Sequence, residues 1–145
     1  MCYHNMARFS ILFIGLLLFF LNLHAQEETM SEGERQELLA KSDSLLVHGD
    51  ELCNSGNYAQ AISLSTEAMH IYEKVYGKEH PDYAQSLNKL ASYYSKLGNY
   101  TEAIRLGTEA MNIWEELYGK EHPNYATSLT TLRSTIPTWA TIQKL

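Results

Sequence analysis

Two histidines, each beside a glutamate, are the residues of this 145-residue chain best suited to chemistry. Glu79–His80 lies in YGKEHPDYA, residues 76–84, and Glu121–His122 lies in YGKEHPNYA, residues 118–126. Imidazole and carboxylate both bind zinc, but the ligands must lie within about 2.3 Å of one ion. Equivalent positions of stacked neighbouring units are about 10 Å apart, so the two pairs cannot share a metal. We expect no metal site and predict that both histidines begin or pack a helix.

Cys53 offers a thiol nucleophile, but no His, Lys or second Cys stands beside it in the sequence to activate it. Burial between helices is therefore expected, and an intermolecular disulfide is the alternative. Neither a Ser-His-Asp nor a Cys-His set falls on one face of a predicted element. The glycines separate helices and do not form a phosphate-binding loop. The residues thus predict neither an enzyme nor a cofactor site.

The nine-residue segment at 76–84, which recurs at 118–126, has the properties of a joint between helices. Residues 56–84 and 98–126 align with 20 identities in 29 pairs, at a period of 42 residues. Such a period is typical of stacked supersecondary units. Gly77 and Gly119 end one helix, and Pro81 and Pro123 suit the first turn of the next, where a missing N–H costs nothing. The joint repeats because the unit repeats.

Each unit is predicted to contain two helices. Apolar residues recur at steps of three and four, as on one stripe of a helix of about five turns. A preceding helix is predicted over residues 82–97, ended by Gly98 in a left-handed conformation. Further upstream, Ser31 and Glu34 form a capping box for another helix. The small residues that let neighbouring helices approach closely are Ala61, Ser65, Ala68, Ala103, Gly107 and Ala110.

This pattern resembles the tetratricopeptide repeat. The matching positions, in the family's order and spacing, are Leu90, Ala91, Tyr94, Gly98, Tyr100, Ala103, Ile104 and Ala110, and an upstream copy has Gly49, Leu52, Gly56, Tyr58, Ala61, Ile62 and Ala68. The period and the G-x-x-HP joint are most similar to the kinesin-light-chain type of the repeat. The resemblance implies an all-α fold of antiparallel helix-turn-helix repeats, stacked as a short right-handed α-solenoid.

The repeat domain is expected over residues 31–135, as about two repeats and a partial third. The third copy begins with HPNYATSLTTL, but Arg133 replaces an expected small residue and Pro137 falls inside the predicted helix. An irregular tail is therefore expected over residues 136–145. Because arrays generally need about three repeats, either residues 124–135 cap the array or the chain is a truncated relative of a longer one. We favour truncation.

The resemblance also implies a concave groove, lined by the first helix of each unit, that binds peptide segments or partner helices. The positions carried across are Asp43, Leu46, Asp50, Gln85, Asn88, Ser92, Lys96, Thr127 and Thr130. Their amide and hydroxyl groups suit hydrogen bonds to an extended peptide backbone. Plain solvent exposure is the alternative for each of them.

The N-terminus has the order of a secretory signal peptide. Arg8 precedes the apolar run ILFIGLLLFFL, and the small residue Ala25 precedes a polar segment. The run is shorter than the roughly 20 residues of a bilayer span. We predict a signal peptide over residues 1–25 and a linker over residues 26–30, with an uncleaved anchor as the alternative. The chain would then be exported, and periplasmic or secreted if its source is bacterial.

The formal net charge of −6, without a basic run, disfavours nucleic acid as a partner. We therefore predict an exported, non-enzymatic module that binds a peptide or partner protein through its groove. The alternative is a truncated sensor or scaffold ectodomain of a longer membrane receptor that carries the same repeats. The export signal and the abrupt tail motivate this alternative.

Overall fold

A computed structural model describes residues 30–142, and describes side chains as far as residue 136. The predicted signal peptide over residues 1–25 lies outside the described residues, as does the linker except for Met30. The chain divides into two units, Met1–Glu34 and Arg35–Leu145, and the helix packing lies within the second. In the described part of the chain, no helix combines the length and apolarity needed to cross a bilayer.

Within residues 30–142, five α-helices follow one another and pack in sequence as antiparallel pairs. They are α1 (Glu32–Asn54), α2 (Tyr58–Tyr76), α3 (Pro81–Leu97), α4 (Tyr100–Tyr118) and α5 (Pro123–Ile142). The capping box predicted for α1 is present, since the Glu34 N–H donates to the Ser31 Oγ at 3.2 Å. Arg35 near the start of α1 donates to the carbonyl of Val75 near the end of α2, at 3.4 Å. The described residues thus have the all-α repeat fold expected from the sequence.

The joints between the pairs are built as predicted, with the histidines starting the helices. Asp82 N–H donates to the His80 Nδ1 at 3.3 Å, and Pro81 occupies the first turn of α3. The His80 ring also stacks on the Tyr76 ring, with centroids 3.9 Å apart. His122 accepts from the Asn124 N–H at 3.2 Å in the same way. Each histidine therefore ties the end of one helix to the start of the next.

Gly98 ends α3 in the left-handed conformation that was predicted, with φ 91° and ψ 3°. A β-carbon is strained in this conformation, which glycine adopts freely. The Gly98 N–H donates back to carbonyls of the last helical turn. This tight end lets α4 begin at Tyr100, only three residues after Leu97, so α3 and α4 pack closely as a pair.

The main core lies between the helices and is centred on α3. Leu87 and Leu90 are 1% and 2% exposed, and burying each such side chain contributes about 1.5–3 kcal/mol. They pack in one cluster with Tyr72, Tyr83, Ala91, Leu106 and Ala110 among others. Small residues bring the helices together: a β-carbon on Gly49 of α1 would lie 2.8 Å from Ser65 Oγ of α2. The stripe of small residues thus has the packing role expected of it.

The last helix corrects one expectation. An irregular tail was predicted over residues 136–145, but α5 continues as one helix to Ile142, through Pro137. Just before Pro137, Leu132 and Thr135 are buried, and the hydroxyl groups of Thr135 and of Ser95 in α3 are hydrogen-bonded to each other at 3.1 Å. Although proline removes one N–H donor and strains a helix interior, packing on the preceding turn holds the helix against α3. Local sequence rules do not include such contacts.

Candidate functional site

The first helices of the units, α1, α3 and α5, share one cavity of about 410 Å³, to which α4 contributes only Trp114. We call this the central cavity. Six of the nine predicted groove residues line it: Asp50, Gln85, Asn88, Ser92, Lys96 and Thr127. They are brought together because one face of α3 lies between the facing sides of α1 and α5. The central cavity is therefore the part of the predicted groove where its residues converge.

The remaining three predicted residues lie elsewhere. Asp43 and Leu46 border a smaller depression of about 270 Å³, next to the central cavity. Leu46 is only 8% exposed and belongs to the main core, so packing accounts for it. Thr130 is exposed outside both depressions, and its Oγ1 donates to the Ala126 carbonyl at 2.8 Å. These three are not part of the convergent site.

Asp50 is the electrostatic centre of the cavity wall. Lys89 Nζ donates to its Oδ2 at 2.5 Å, and the Tyr93 hydroxyl donates to its Oδ1. Burial raises the pKa of the Asp50 carboxyl, but the hydrogen bonds from Lys89 and Tyr93 outweigh it, so the net pKa lies below the ordinary value. Burial and the same carboxylate raise the pKa of Tyr93. Asp50 is thus held as an anion and joins α1 to α3.

Cys53 lines the same cavity and is buried as predicted, with 4% of its surface exposed. Its surroundings differ from those expected, however, because Lys96 Nζ lies 3.2 Å from Cys53 Sγ. The sequence showed no lysine beside the cysteine, since the two residues are separated by 43 positions. Stacking of α1 on α3 brings them together.

A chain of hydrogen bonds ties α3 to the first turns of α5. Asn88 Nδ2 donates to the Ser128 Oγ at 2.8 Å, and the Ser128 hydroxyl donates to the Asn124 carbonyl at 3.1 Å. Beside it, Trp114 is 2% exposed and stacks on His122, with ring centroids 5.8 Å apart. Asn88 Oδ1 and Trp114 Nε1 have no hydrogen-bond partner among the described residues.

Sequence reasoning missed seven residues that line the cavity: Cys53, Asn54, Lys89, Tyr93, Trp114, Asn124 and Thr131. A signal existed for Lys89, which follows Gln85 by four positions and so shares its helical face. Trp114 is one of the apolar residues that recur at steps of three and four along α4, and it is buried there. Helix α4 is the second helix of its unit, and the spacing of its apolar residues does not show that it reaches a cavity formed by the first helices.

The cavity suits binding better than covalent chemistry. Lys89 is paired with Asp50, Lys96 contacts the Cys53 sulfur, and the other lining groups are mostly amides and hydroxyls. Across residues 30–142, no three of the His, Cys, Asp and Glu side chains are grouped so that they could hold a metal ion. Neutral hydrogen-bonding groups of this kind hold polar ligands in place.

Comparison with known proteins agrees with this architecture. A family model described as tetratricopeptide repeat matches residues 44–113 and residues 86–132, which together exceed half of the chain. A search of curated proteins gave no match. The matched residues contain α2, α3 and α4 whole, with the joints, the left-handed end at Gly98 and the central cavity. The chain belongs to the tetratricopeptide repeat family.

Proposed function

We propose that the central cavity and its rim bind an extended segment of a partner protein. A tetratricopeptide repeat domain is generally a protein–protein interaction module and is typically non-catalytic. The observation that carries the proposal is the convergence of six predicted groove residues on one cavity. Gln85 and Thr127 are exposed at its rim, whereas Asn88 and Ser92 are partly buried. A bound segment can therefore run along the exposed rim and place side chains against the half-buried wall.

The charges favour a segment that is polar but not strongly charged. Asp50 is neutralised by Lys89, and Lys96 donates to Cys53. A charged residue of the partner would have to compete with these contacts and lose its own hydration, and this desolvation cost offsets much of what a new ion pair gains. Amide and hydroxyl groups can instead pair with peptide N–H and C=O groups at little desolvation cost.

Paired charge variants test the proposal. Replacing Gln85 and Ser92 by glutamate puts two negative charges on the proposed binding face, so capture of partner proteins from a source extract should fall about tenfold or more. Asn88 is left intact because it holds Ser128. Ser63→Glu with Asn112→Glu is the matched control, since both residues are exposed on α2 and α4. An equal loss of partner capture in both variant pairs, with unchanged helical circular dichroism, would contradict the proposal.

Two finer features are part of the same proposal. The 42-residue period with its G-x-x-HP joint supports repeats of the kinesin-light-chain type, in a right-handed array. The order of charged, apolar and small residues over residues 1–25 supports export. If export is correct, the mature protein begins at Gln26, and N-terminal sequencing of protein from an exported fraction tests this. A mature chain that retains residues 1–25 would contradict cleavage.

A further inference from the structure

The first helix of the third unit, α5, has an exposed stripe that its counterpart α3 in the second unit does not have. Ala126, Leu129, Arg133 and Ile136 follow one another at steps of three and four, so they lie on one side of the helix. We call these four residues the α5 stripe. All four are exposed, Leu129 by 39% and Ile136 by 46%. A helix of a folded domain normally covers its large apolar side chains.

The same stripe of α3 is covered by α4. Through the 42-residue period, Leu87 and Ala91 of α3 correspond to Leu129 and Arg133, and they are only 1% and 0% exposed. Both pack in the main core with residues of α4. A β-carbon on Gly107 of α4 would lie 3.7 Å from the Ala91 Cβ, an ordinary contact distance. Among the described residues, no helix stands in this relation to α5.

The one charged residue of the stripe indicates which kind of helix fits it. Arg133 stands where α3 has Ala91, and its guanidinium forms no ion pair or side-chain hydrogen bond with another described residue. A helix packed on α5 as α4 packs on α3 brings the position of Gly107 next to Arg133. An apolar residue at that position would cover an unpaired cation, which is costly. A carboxylate there pairs with the guanidinium instead.

From this correspondence we infer that the α5 stripe binds an acidic amphipathic helix of a partner protein. Apolar residues of that helix cover Leu129 and Ile136, and a carboxylate between them pairs with Arg133. A second copy docked α5 to α5 does not supply the carboxylate, because α5 contains no Asp or Glu, and residues 1–26 contain none either. The α5 stripe shares no residue with the central cavity, so this inference goes beyond the proposed function and does not rest on it.

Two synthetic peptides derived from α4 test the pairing without a known partner. Both contain residues 100–118, one with Gly107→Glu and the other with Gly107→Gln, so they differ in charge but hardly in size at the position next to Arg133. In ¹⁵N spectra of the full chain, each peptide should shift the backbone resonances of Leu129 and Ile136 saturably. The glutamate peptide should bind about three- to fivefold more tightly than the glutamine peptide, as expected for one exposed ion pair.

Substitutions in the protein complete the cycle. Arg133→Gln removes the cation, so the ratio of the two affinities should fall to about one or below. Lys74→Gln is the matched control, because Lys74 is an exposed cation on α2 and its loss changes the net charge equally; the ratio should stay as in the wild type. Leu129→Asn removes an apolar contact and should weaken both peptides about fivefold without changing the ratio.

Three results would overturn the inference. The first is equal binding of the two peptides, or a preference for glutamate that survives Arg133→Gln. The second is the absence of any shift at Leu129 and Ile136 with either peptide. The third is a shift of these resonances when the protein concentration alone is raised, because a second copy would then be the occupant of the α5 stripe.

Discussion

Asp50 shows how a single residue can serve both the fold and the site. It lies on α1 and receives hydrogen bonds from Lys89 and Tyr93 on α3, at the wall of the central cavity. The anion therefore does two things: it fixes the spacing of two helices and removes one lysine charge from the binding surface. A change at Asp50 should affect stability before it affects binding.

Asp50→Asn should destabilise the domain in a pH-dependent way. Because the folded-state pKa of Asp50 is depressed, its contribution is full above the ordinary pKa of about 3.8 and is lost as pH falls through the folded value. At pH 7 the variant should lose roughly 1 kcal/mol of unfolding free energy, a figure kept small because the carboxylate is partly exposed. Below about pH 4 the difference from wild type should shrink.

Urea unfolding at pH 7 and pH 3 measures this difference. Glu51→Gln is the control: Glu51 is exposed and pairs with the exposed His48 at 3.1 Å, so the substitution should change stability by less than about 0.5 kcal/mol. A loss for Asp50→Asn that is as large at pH 3 as at pH 7 would refute the assignment.

The residue scale is also where sequence reasoning was weakest. Asp50 and Lys96 were predicted as groove residues, and both line the cavity. Their partners were not predicted, because Lys89 and Cys53 lie 39 and 43 positions away from them. Contacts of this kind depend on how one helix is stacked on another, and helical periodicity within a segment does not specify that register.

At the scale of the elements, the joints were predictable and the last helix was not. Gly77, Pro81 and Gly98 act on backbone geometry within a few residues, so their effect can be read locally. Pro137 was expected to end a helix by the same local rule, yet α5 continues to Ile142. The turn before it is held by buried Leu132 and Thr135, and such tertiary contacts outweigh propensity.

The contact between α1 and α2 yields a test at this scale. Alanine in place of a helical glycine normally gains up to about 1 kcal/mol. At Gly49 the added β-carbon would lie 2.8 Å from Ser65 Oγ, which is fully buried. We expect Gly49→Ala to cost about 1–2 kcal/mol of unfolding free energy, since overpacking exceeds the gain in propensity.

Gly33→Ala is the matched substitution, because nothing lies within 4 Å of the β-carbon it would add. It should be neutral or slightly stabilising in the same urea titration. Adding Ser65→Ala to Gly49→Ala should restore part of the loss, because the oxygen that collides is gone. Equal stability of the two alanine variants would show that α1 does not approach α2 as closely as described.

At the scale of the whole molecule, repetition of one unit produces the binding face. Each joint returns the chain so that α1, α3 and α5 present their sides to one cavity, with α2 and α4 in the other layer. Stacked units stabilise one another through their shared interfaces. Helix α5 contributes the buried Leu132, which lies beside Gly107 of α4, and a hydrogen bond between Thr135 and Ser95 of α3. A partner bound in the cavity should therefore contact successive first helices.

Site-specific photo-crosslinking in cells of the source organism tests this claim most directly. A benzophenone amino acid is placed at Gln85 of α3 or Thr127 of α5, and at Ser63 of α2 or Asn112 of α4 as controls; all four residues are exposed. We predict that Gln85 and Thr127 give the same partner adduct on irradiation, and that the two control positions give none. Adducts formed equally well from Ser63 and Asn112, or only from these two, would contradict the account.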